Sequence, residues 1–332
     1  MPETKACMKY SGIGGQAVLE GVMMRNQKNY AVAVRKPDGE IAVKKEEIPE
    51  RSAQGAACRK IPFLRGVFAF VDSLTLGMKT LEYSASFLEE EEAKTKSETA
   101  EKTEKEAKKE KKGAEDMTML VSILLAAALC IGLFILLPMF LVSLLRPVIQ
   151  SRFLISLLEG LLRVVIFLAY IAVISQLKDI KRVFMYHGAE HKCINCIEHG
   201  LPLDAEHVRA SSREHRRCGT SFLLFVMLVS VFVGIFLPKD VLWQRLVSRL
   251  VMLPVVMGIS YEIIHWAGST GSKLAEIMSQ PGLWLQNFTT KEPEDAMIEV
   301  GIASVNAVFD WKAWQEKELG VIHEAKVAAN DL

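Results

Sequence analysis

The 332-residue chain has little net charge and few cysteines. Its formal charge is +1 at pH 7, so nucleic acid is not expected as a partner. Six cysteines scattered over this length are too few for a disulfide framework. They are Cys7, Cys58, Cys130, Cys193, Cys196 and Cys218. The first residues lack the apolar run of a signal peptide, so we expect the N-terminus in the cytosol, where reduced thiols can bind metals.

Apolar residues concentrate in four long runs, at 117–145, 153–175, 219–237 and 241–264. A helix of about 20 apolar residues crosses a bilayer, so the first three runs predict transmembrane helices. The fourth run carries two arginines near its start. It either crosses with those arginines paired or snorkelling, or forms an interfacial or re-entrant segment. We predict a multi-span α-helical membrane protein with four transmembrane helices and the lipid bilayer as its partner.

Lysine and arginine near the runs indicate the orientation. The segment before the first run is rich in lysine, and the loop at 176–218 carries eight lysine and arginine residues. The connection between the first two runs offers only Arg146 and Arg152. By the positive-inside rule, both termini and the loop at 176–218 are expected in the cytosol.

The membrane part, 117–265, is flanked by soluble segments. Residues 1–88 predict a small α+β domain: alternating strands surround a Pro37-Asp38-Gly39 turn, which is typical of a hairpin. A helical pattern at 61–88 indicates either a core helix of that domain or a helix in the membrane interface. Residues 89–116, almost purely charged and small, form a linker. Residues 266–332 predict a helical cytosolic tail, with a helix starting near Asp295.

The loop at 176–218 contains the pattern His187-x-x-Glu190-His191. Two histidines four residues apart share a helix face and can chelate one Zn²⁺. Glu190 between them has the position of a general base. The pattern is the inverted zincin signature, although five residues alone are weakly specific.

The predicted topology brings further ligands to the same membrane surface. The second run ends just before His187, the third begins just after His215 and Cys218, and the fourth ends at Glu262. These residues are candidates to complete a metal shell with His187 and His191. A competing closed zinc site would combine Cys193 and Cys196 with His215 and Cys218.

Charges also occur inside the apolar runs. Glu159 and Arg163 lie four residues apart in the second run, and Arg245 and Arg249 lie in the fourth. Buried charges in a membrane face the bundle interior and pair with one another. We therefore expect an ion-pair cluster between the second and fourth helices; the alternative is a transport path.

Four motifs carry a resemblance to a known family. They are GGQAVLEGVMMR at 14–25, YHGAEHK at 186–192, RCGTSF at 217–222 and PGLWLQ at 281–286. With them the chain resembles the bacterial YqhQ-like family, the domain of unknown function 1385. The sequence departs from the family pattern at Arg216, where proline is expected, and at His265, where arginine is expected.

The resemblance implies a metal-dependent membrane enzyme of the bacterial inner membrane, with no substrate attached to that description. It places the five candidate ligands His187, His191, His215, Cys218 and Glu262, together with Glu190, in family motif positions. Our hypothesis is a zinc-type hydrolase that acts at the cytosolic membrane face on a membrane-associated substrate. The alternatives are a membrane scaffold with a structural metal site and a protein partner, and a small transporter.

Overall fold

The computed structural model describes residues 9–48, 61–97, 121–237, 241–270 and 272–323. Cys7, Cys58 and most of the predicted linker lie outside these ranges. One antiparallel sheet of four strands is formed in the order β1-β2-β3-β4. The strands are β1 (Ile13–Val18), β2 (Gly21–Asn26), β3 (Asn29–Arg35) and β4 (Ile41–Glu47). The predicted hairpin is confirmed as β3 and β4, whereas β1 and β2 were not predicted.

The rest of the described chain is mostly helical. Its helices are α1 (Leu64–Ser97), α2 (Val121–Ser143, with a π-helical turn at Gly132–Leu136), α3 (Arg152–Ile174), α4 (Lys178–Glu198), α5 (Ala205–Ala210), α6 (Gly219–Phe236), α7 (Leu242–Ser269), α8 (Lys273–Thr289), α9 (Asp295–Val308) and α10 (Trp311–Leu319).

Among the described residues, four helices are long and apolar enough to cross a membrane: α2, α3, α6 and the part of α7 at Val247–Ser269. The fourth segment, the most ambiguous in sequence, is one continuous helix that runs through Pro254. The first apolar run begins before the described part of α2, so its bounds at 117–120 are not covered.

A single apolar core joins the N-terminal sheet to α4 and α9. Met24 and Ala31 of the sheet pack with Ile194 of α4 and with Ile298 of α9. The predicted start of α9 at Asp295 is confirmed. The position of α9 differs from the sequence prediction of a separate C-terminal tail, because α9 packs in this core.

The ends of three candidate spans meet at α4. Helix α4 begins four residues after α3 ends, and α6 begins directly after Cys218, whose sulfur lies 3.3 Å from His187 Nε2. At the end of α7, the Gly268 carbonyl accepts a 2.9 Å hydrogen bond from Arg217. These contacts place the ends of the three helices close together.

The predicted ion-pair cluster is also confirmed. Glu159 of α3 pairs with Arg249 of α7 and with Arg163 one helical turn along α3, the latter at 3.3 Å. Arg163 Nε also donates to the Phe134 carbonyl of α2 at 2.9 Å. The cluster thus joins three candidate spans. The side chain of Arg245 lies outside the described part of the structure.

Candidate metal centre

Three metal-type ligands converge between α4 and the start of α6. One donor atom each of His187, His191 and Cys218 lies within 4.8 Å of the others. Among the described residues, this is the group of at least three His, Cys, Asp or Glu side chains that is close enough to hold a metal ion. The His187 and His191 rings lie 4.4 Å apart, one turn apart on α4. In a tetrahedral zinc site, sulfur and nitrogen ligands are about 3.5 Å apart. The 3.3 Å between Cys218 Sγ and His187 Nε2 agrees with that spacing.

Both imidazoles are oriented by the backbone. His187 Nδ1 donates to the Thr289 carbonyl at 2.8 Å, and His191 Nδ1 donates to the Arg213 carbonyl at 2.6 Å. A carbonyl oxygen only accepts, so in each neutral ring Nδ1 carries the hydrogen and Nε2 carries the lone pair. Metal-binding histidines are usually fixed in this way by a carbonyl or carboxylate behind them. The donor set therefore fits a divalent metal.

Cys218 lies at the N-cap of α6, where a helix terminus favours an anion. Burial raises the pKa of the Cys218 thiol, but the His187 and His191 rings lower it by more than burial raises it. The pKa therefore lies well below its ordinary value. Burial likewise lowers the pKa of His187, but the Cys218 thiolate raises it more, to about 9. With no metal bound, the pair is thus a thiolate beside an imidazolium, and a metal that binds the His187 Nε2 would displace its proton.

Glu190 is buried beside this group with incomplete hydrogen bonding. Its Oε2 makes no hydrogen bond to any described residue and lies 3.7 Å from His187 Nε2. Burial raises the pKa of its carboxyl, although His191 and His187 oppose that shift. The backbone of Gly15 on β1 also lowers this pKa. A Cβ on Gly15 would lie 2.5 Å from the Met23 carbonyl and 3.0 Å from Glu190 Cγ, so only glycine permits this approach.

A cavity of about 260 Å³ opens onto these residues. His187, Glu190, His191 and Cys218 line one side, and residues of β1, β2 and α1 line the other. The candidate ligands are thus reachable from outside. Polar groups converging in a concave pocket are typical of a small-molecule site.

The segment before Cys218 is held by side chains of α4. Lys192 donates to the Arg209 and Ser211 carbonyls at 2.8 and 3.0 Å. Asn195 donates to the Ser212 and Glu214 carbonyls at 2.7 and 2.9 Å. Together with the bond from His191, these contacts fix the segment without regular secondary structure of its own.

Helix α8 holds the same segment from the other side. Gln286 accepts from the His215 N–H at 2.9 Å and donates to the His215 carbonyl at 2.8 Å. A Cβ on Gly282 would lie 2.7 Å from Ser221 Oγ, so this glycine lets α8 pack closely on α6. The PGLWLQ motif therefore serves the backbone that carries Cys218.

His215 lies beside the group with a different partner. Its ring is 5.7 Å from that of His191, and its Nε2 is 3.5 Å from the Glu198 carboxylate. Glu198 is fully buried and accepts hydrogen bonds from the backbone and hydroxyl of Ser11 and from Arg217 at 2.6–2.9 Å. His215 and Glu198 thus form a buried polar cluster behind the ligands.

The structure does not bring Glu262 to this group. Its carboxylate accepts from Arg65 Nε at 2.7 Å and from the Phe63 N–H at 3.1 Å, which joins α7 to α1. Nor do Cys193 and Cys196 join Cys218 and His215: Cys193 packs against Gly301 of α9, and Cys196 contacts the Pro202 carbonyl at 3.2 Å. Burial raises the pKa of both of these thiols.

Sequence reasoning missed Glu198 and the roles of Asn195 and Gln286. A signal was present: His187, His191, Asn195 and Glu198 are spaced by 4, 4 and 3 residues, which is one polar helix face. Gln286 gave no such signal, because its partners are backbone atoms of a distant segment.

In the part of the chain that the structure describes, fold and site together define a mostly helical protein, with four helices that could cross a membrane and one His/His/Cys group that could hold a metal. Residues 61–311 match the family described as "Protein of unknown function (DUF1385)". The chain is 39% identical over 315 residues to "Uncharacterized protein YqhQ" of Bacillus subtilis (strain 168), covering 92% of this chain and 94% of that protein. The chain belongs to this family. No solved structure matches it significantly.

Proposed function

We propose that the protein is a metal-dependent membrane enzyme, most naturally a hydrolase, with its active site at the cytosolic membrane face. The observation that carries this proposal is the convergence of two Nε2 lone pairs and the Cys218 sulfur within 4.8 Å. A His₂Cys set suits Zn²⁺ and leaves the fourth tetrahedral position to water or substrate, as catalytic zinc sites do. We assign His187, His191 and Cys218 as the ligands, with His215 behind them and Glu262 outside the set.

When bound, a divalent metal supplies Lewis acidity: it polarises a carbonyl or phosphoryl oxygen and lowers the pKa of water. The chain supplies the proton transfers. Glu190 has a buried oxygen without a hydrogen-bond partner among the described residues and a raised pKa, which suits a general base near neutral pH. It would take a proton from the attacking water and deliver it to the leaving group.

The topology supports the placement at the membrane. The site lies where α6 begins and α7 ends, and the chain between α3 and α6 carries eight lysine and arginine residues. By the positive-inside rule this end faces the cytosol, as do both termini, in the inner membrane of a bacterium.

Metal analysis tests the ligand set. Detergent-purified wild type is expected to hold about one divalent ion per chain, and the His187→Ala/His191→Ala variant is expected to hold almost none. Cys218→Ser should also lose most of the metal. His207→Ala and Cys130→Ser are the matched controls, because both residues lie away from the group. Metal-free wild type, or retention of metal by the double variant, would contradict the proposal.

A structural metal site is the second candidate, favoured by burial of the group and its position between α4 and α6. Glu190→Gln separates the two candidates. For an enzyme, the variant retains metal and loses turnover of p-nitrophenyl ester or phosphate reporters. For a structural site, chelation lowers the melting temperature, and Glu190→Gln behaves as wild type in every assay.

A further inference from the structure

We propose that the pocket takes an anionic amphiphile from the bilayer, with Arg25 binding its anionic group and α1 guiding its apolar chain. This inference rests on the proposed function, because it names the substrate class of the same site.

Arg25 is a cation without a counter-ion at the pocket wall. It lies on β2, half-buried, and lines the same cavity as the metal ligands. Its guanidinium forms no ion pair or hydrogen bond with any residue that the structure describes. The neighbouring arginines differ: Arg217 pairs with Glu198, and Arg65 pairs with Glu262. A guanidinium facing a pocket with its donors free is suited to a carboxylate or phosphate oxygen.

Helix α1 forms another wall of this pocket. Ser73 and Leu76 line the cavity, and Gly77 lies against Gln16 of β1. Gln16 also donates to Thr80 at 3.1 Å. This face of α1 is therefore fixed on the sheet that carries Arg25.

The start of α1 lies against two candidate membrane spans. Gly66 packs on Tyr261 of α7 so closely that a Cβ would lie 2.5 Å from its Cβ. Arg65 binds Glu262 within the part of α7 that could cross the membrane. Phe70 contacts Phe222 of α6, with ring centroids 5.8 Å apart. The helix thus begins within the surface that these spans present to lipid.

The remaining face of α1 is apolar and exposed. Its members recur at helical spacing and are 45–61% exposed: Leu64, Val71, Leu74, Met78 and Leu81. Because this face continues the lipid-facing surface of α6 and α7, its occupant is the bilayer. This is the arrangement of an interfacial amphipathic helix. An amphiphile whose chain lies in the bilayer along α1 can therefore place its headgroup in the cavity, between Arg25 and the metal ligands.

Binding of short-chain probes tests the role of Arg25. The full-length protein in detergent is titrated with dihexanoyl phosphatidic acid, dihexanoyl phosphatidylcholine, sodium decanoate and inorganic phosphate. The anionic amphiphiles should bind most tightly, and Arg25→Gln should weaken them roughly tenfold or more, the loss expected for a charge-assisted hydrogen bond. Arg25→Lys should lose less. Arg216→Gln, which removes a half-buried arginine paired with Glu276, should change nothing.

Two results would overturn the inference. One is equal binding of phosphatidylcholine and phosphatidic acid; the other is that inorganic phosphate alone binds as tightly as the amphiphile, which would assign a free anion. Metal content is measured in every variant. Loss of metal in wild type with Arg25-dependent binding intact would overturn only the proposed enzyme, whereas normal metal content without amphiphile binding would overturn only this inference.

The position of α1 is tested in lipid nanodiscs. A spin label at Met78→Cys, in a chain with Cys7, Cys58, Cys130 and Cys218 replaced by Ser, should be relaxed more by oxygen than by a water-soluble nickel complex. A label at Glu316→Cys, on the surface of α10, should show the opposite preference. Water-like relaxation at position 78 would overturn the interfacial placement and the route of the amphiphile with it.

Discussion

Among individual residues, Gly188 has a steric role that explains the glycine in the YHGAEHK motif. A Cβ at this position would lie 2.0 Å from the Lys291 carbonyl oxygen. That backbone is fixed, because the Lys291 N–H donates to the Phe184 carbonyl at 2.8 Å. Helix α4 and the segment before α9 can approach this closely only without a side chain between them.

We expect Gly188→Ala to destabilise the fold and weaken the metal site. Alanine improves helix propensity by about 1 kcal/mol, but overpacking against backbone costs about 1–3 kcal/mol, so the clash wins. Any shift of α4 also moves His187, the preceding residue. Gly219→Ala is the matched control: it adjoins Cys218, and its Cβ would meet nothing within 4 Å. Thermal unfolding and metal content in detergent measure both; equal behaviour of the two variants would refute the steric explanation.

Glu198 gives a prediction that depends on pH. Burial raises the pKa of its carboxyl, but the hydrogen bond from His215 and the charge of Arg217 lower it more, so the folded pKa is below the ordinary value. The unfolded carboxyl titrates near pH 4.3. A lowered folded pKa means that the stabilisation is fully present above that pH and is lost as the pH falls through the folded pKa.

Glu198→Gln should therefore cost about 3 kcal/mol at neutral pH, the scale for breaking a buried ion pair, and much less in acid. Melting temperatures of wild type and variant from pH 7 to pH 3 measure the difference, which should narrow as the pH falls. Glu206→Gln, on the exposed helix α5, provides the control. A pH-independent difference would contradict the assigned charge pair.

How far the sequence predicts single residues depends on the range of their contacts. His187 and His191 were recognisable because both lie on one helix, where spacing alone places them on one face. Cys218 and His215 were equal candidates in sequence. Which of the two joins the group is decided by the conformation of the segment that carries them, which has no regular secondary structure. Asn195 and Gln286 fix that conformation by hydrogen bonds to its backbone. Such contacts leave no periodic pattern.

At the scale of elements, α8 acts as a support for the segment that carries Cys218. The Gln286 amide accepts from the His215 N–H and donates to the His215 carbonyl, as the backbone of a neighbouring strand would. Its amide also donates to Ser221 Oγ of α6 at 3.1 Å. One side chain thus joins three parts of the chain around the site.

We expect Gln286→Leu to leave the buried N–H and carbonyl of His215 without partners, at a cost of about 1–3 kcal/mol. Because Cys218 follows three residues later, metal affinity should fall about 10- to 100-fold, as for other residues that support ligands. Zinc competition with a chelator and thermal unfolding are the measurements. Gln176→Leu, at an exposed position, should affect neither; unchanged zinc affinity in Gln286→Leu would remove α8 from the site.

Secondary-structure elements with a strong local sequence pattern were predictable. Elements that form because of their contacts with distant parts of the chain were not. The hairpin of β3 and β4 follows from alternation around a Pro-Asp-Gly turn. Strands β1 and β2 carry the GGQAVLEGVMMR motif, whose glycines weaken a strand pattern. Gly15 and Gly21 are required there because their Cβ atoms would lie within 2.5 Å of neighbouring carbonyls.

At the scale of the whole molecule, the chain has two apolar regions: a buried core, and a group of helices whose apolar side chains face outward. The core of the sheet, α4 and α9 excludes water, whereas α2, α3, α6 and α7 expose apolar side chains such as Leu124, Val173 and Phe232. Exposed apolar surface of this extent is stable in lipid. Hydropathy predicts the four candidate spans and periodicity predicts α1 and α9, but neither predicts that α9, more than 270 residues after β1, completes the water-excluding core.

The charged cluster of Glu159, Arg163 and Arg249 is where the packing between the candidate spans departs from apolar contacts. If its role is structural, Glu159→Gln leaves two arginines without a counter-ion and should cost about 3–5 kcal/mol. Metal content should not change, since the cluster lies in α3 and α7 away from the ligands. Unfolding in detergent and elemental analysis measure the two effects.

A triple variant distinguishes the cost of unpaired buried charges from a loss of side-chain packing. Replacing Glu159, Arg163 and Arg249 together by leucine removes every charge, so no ion remains to be desolvated, and stability should recover above that of Glu159→Gln. Arg163 also donates to the Phe134 carbonyl, so the recovery should be incomplete. If instead Glu159→Gln is as stable as wild type and abolishes ion flux into reconstituted vesicles, the cluster is a transport path. The helices α3 and α7 would then be its walls and not a fixed support for the metal centre.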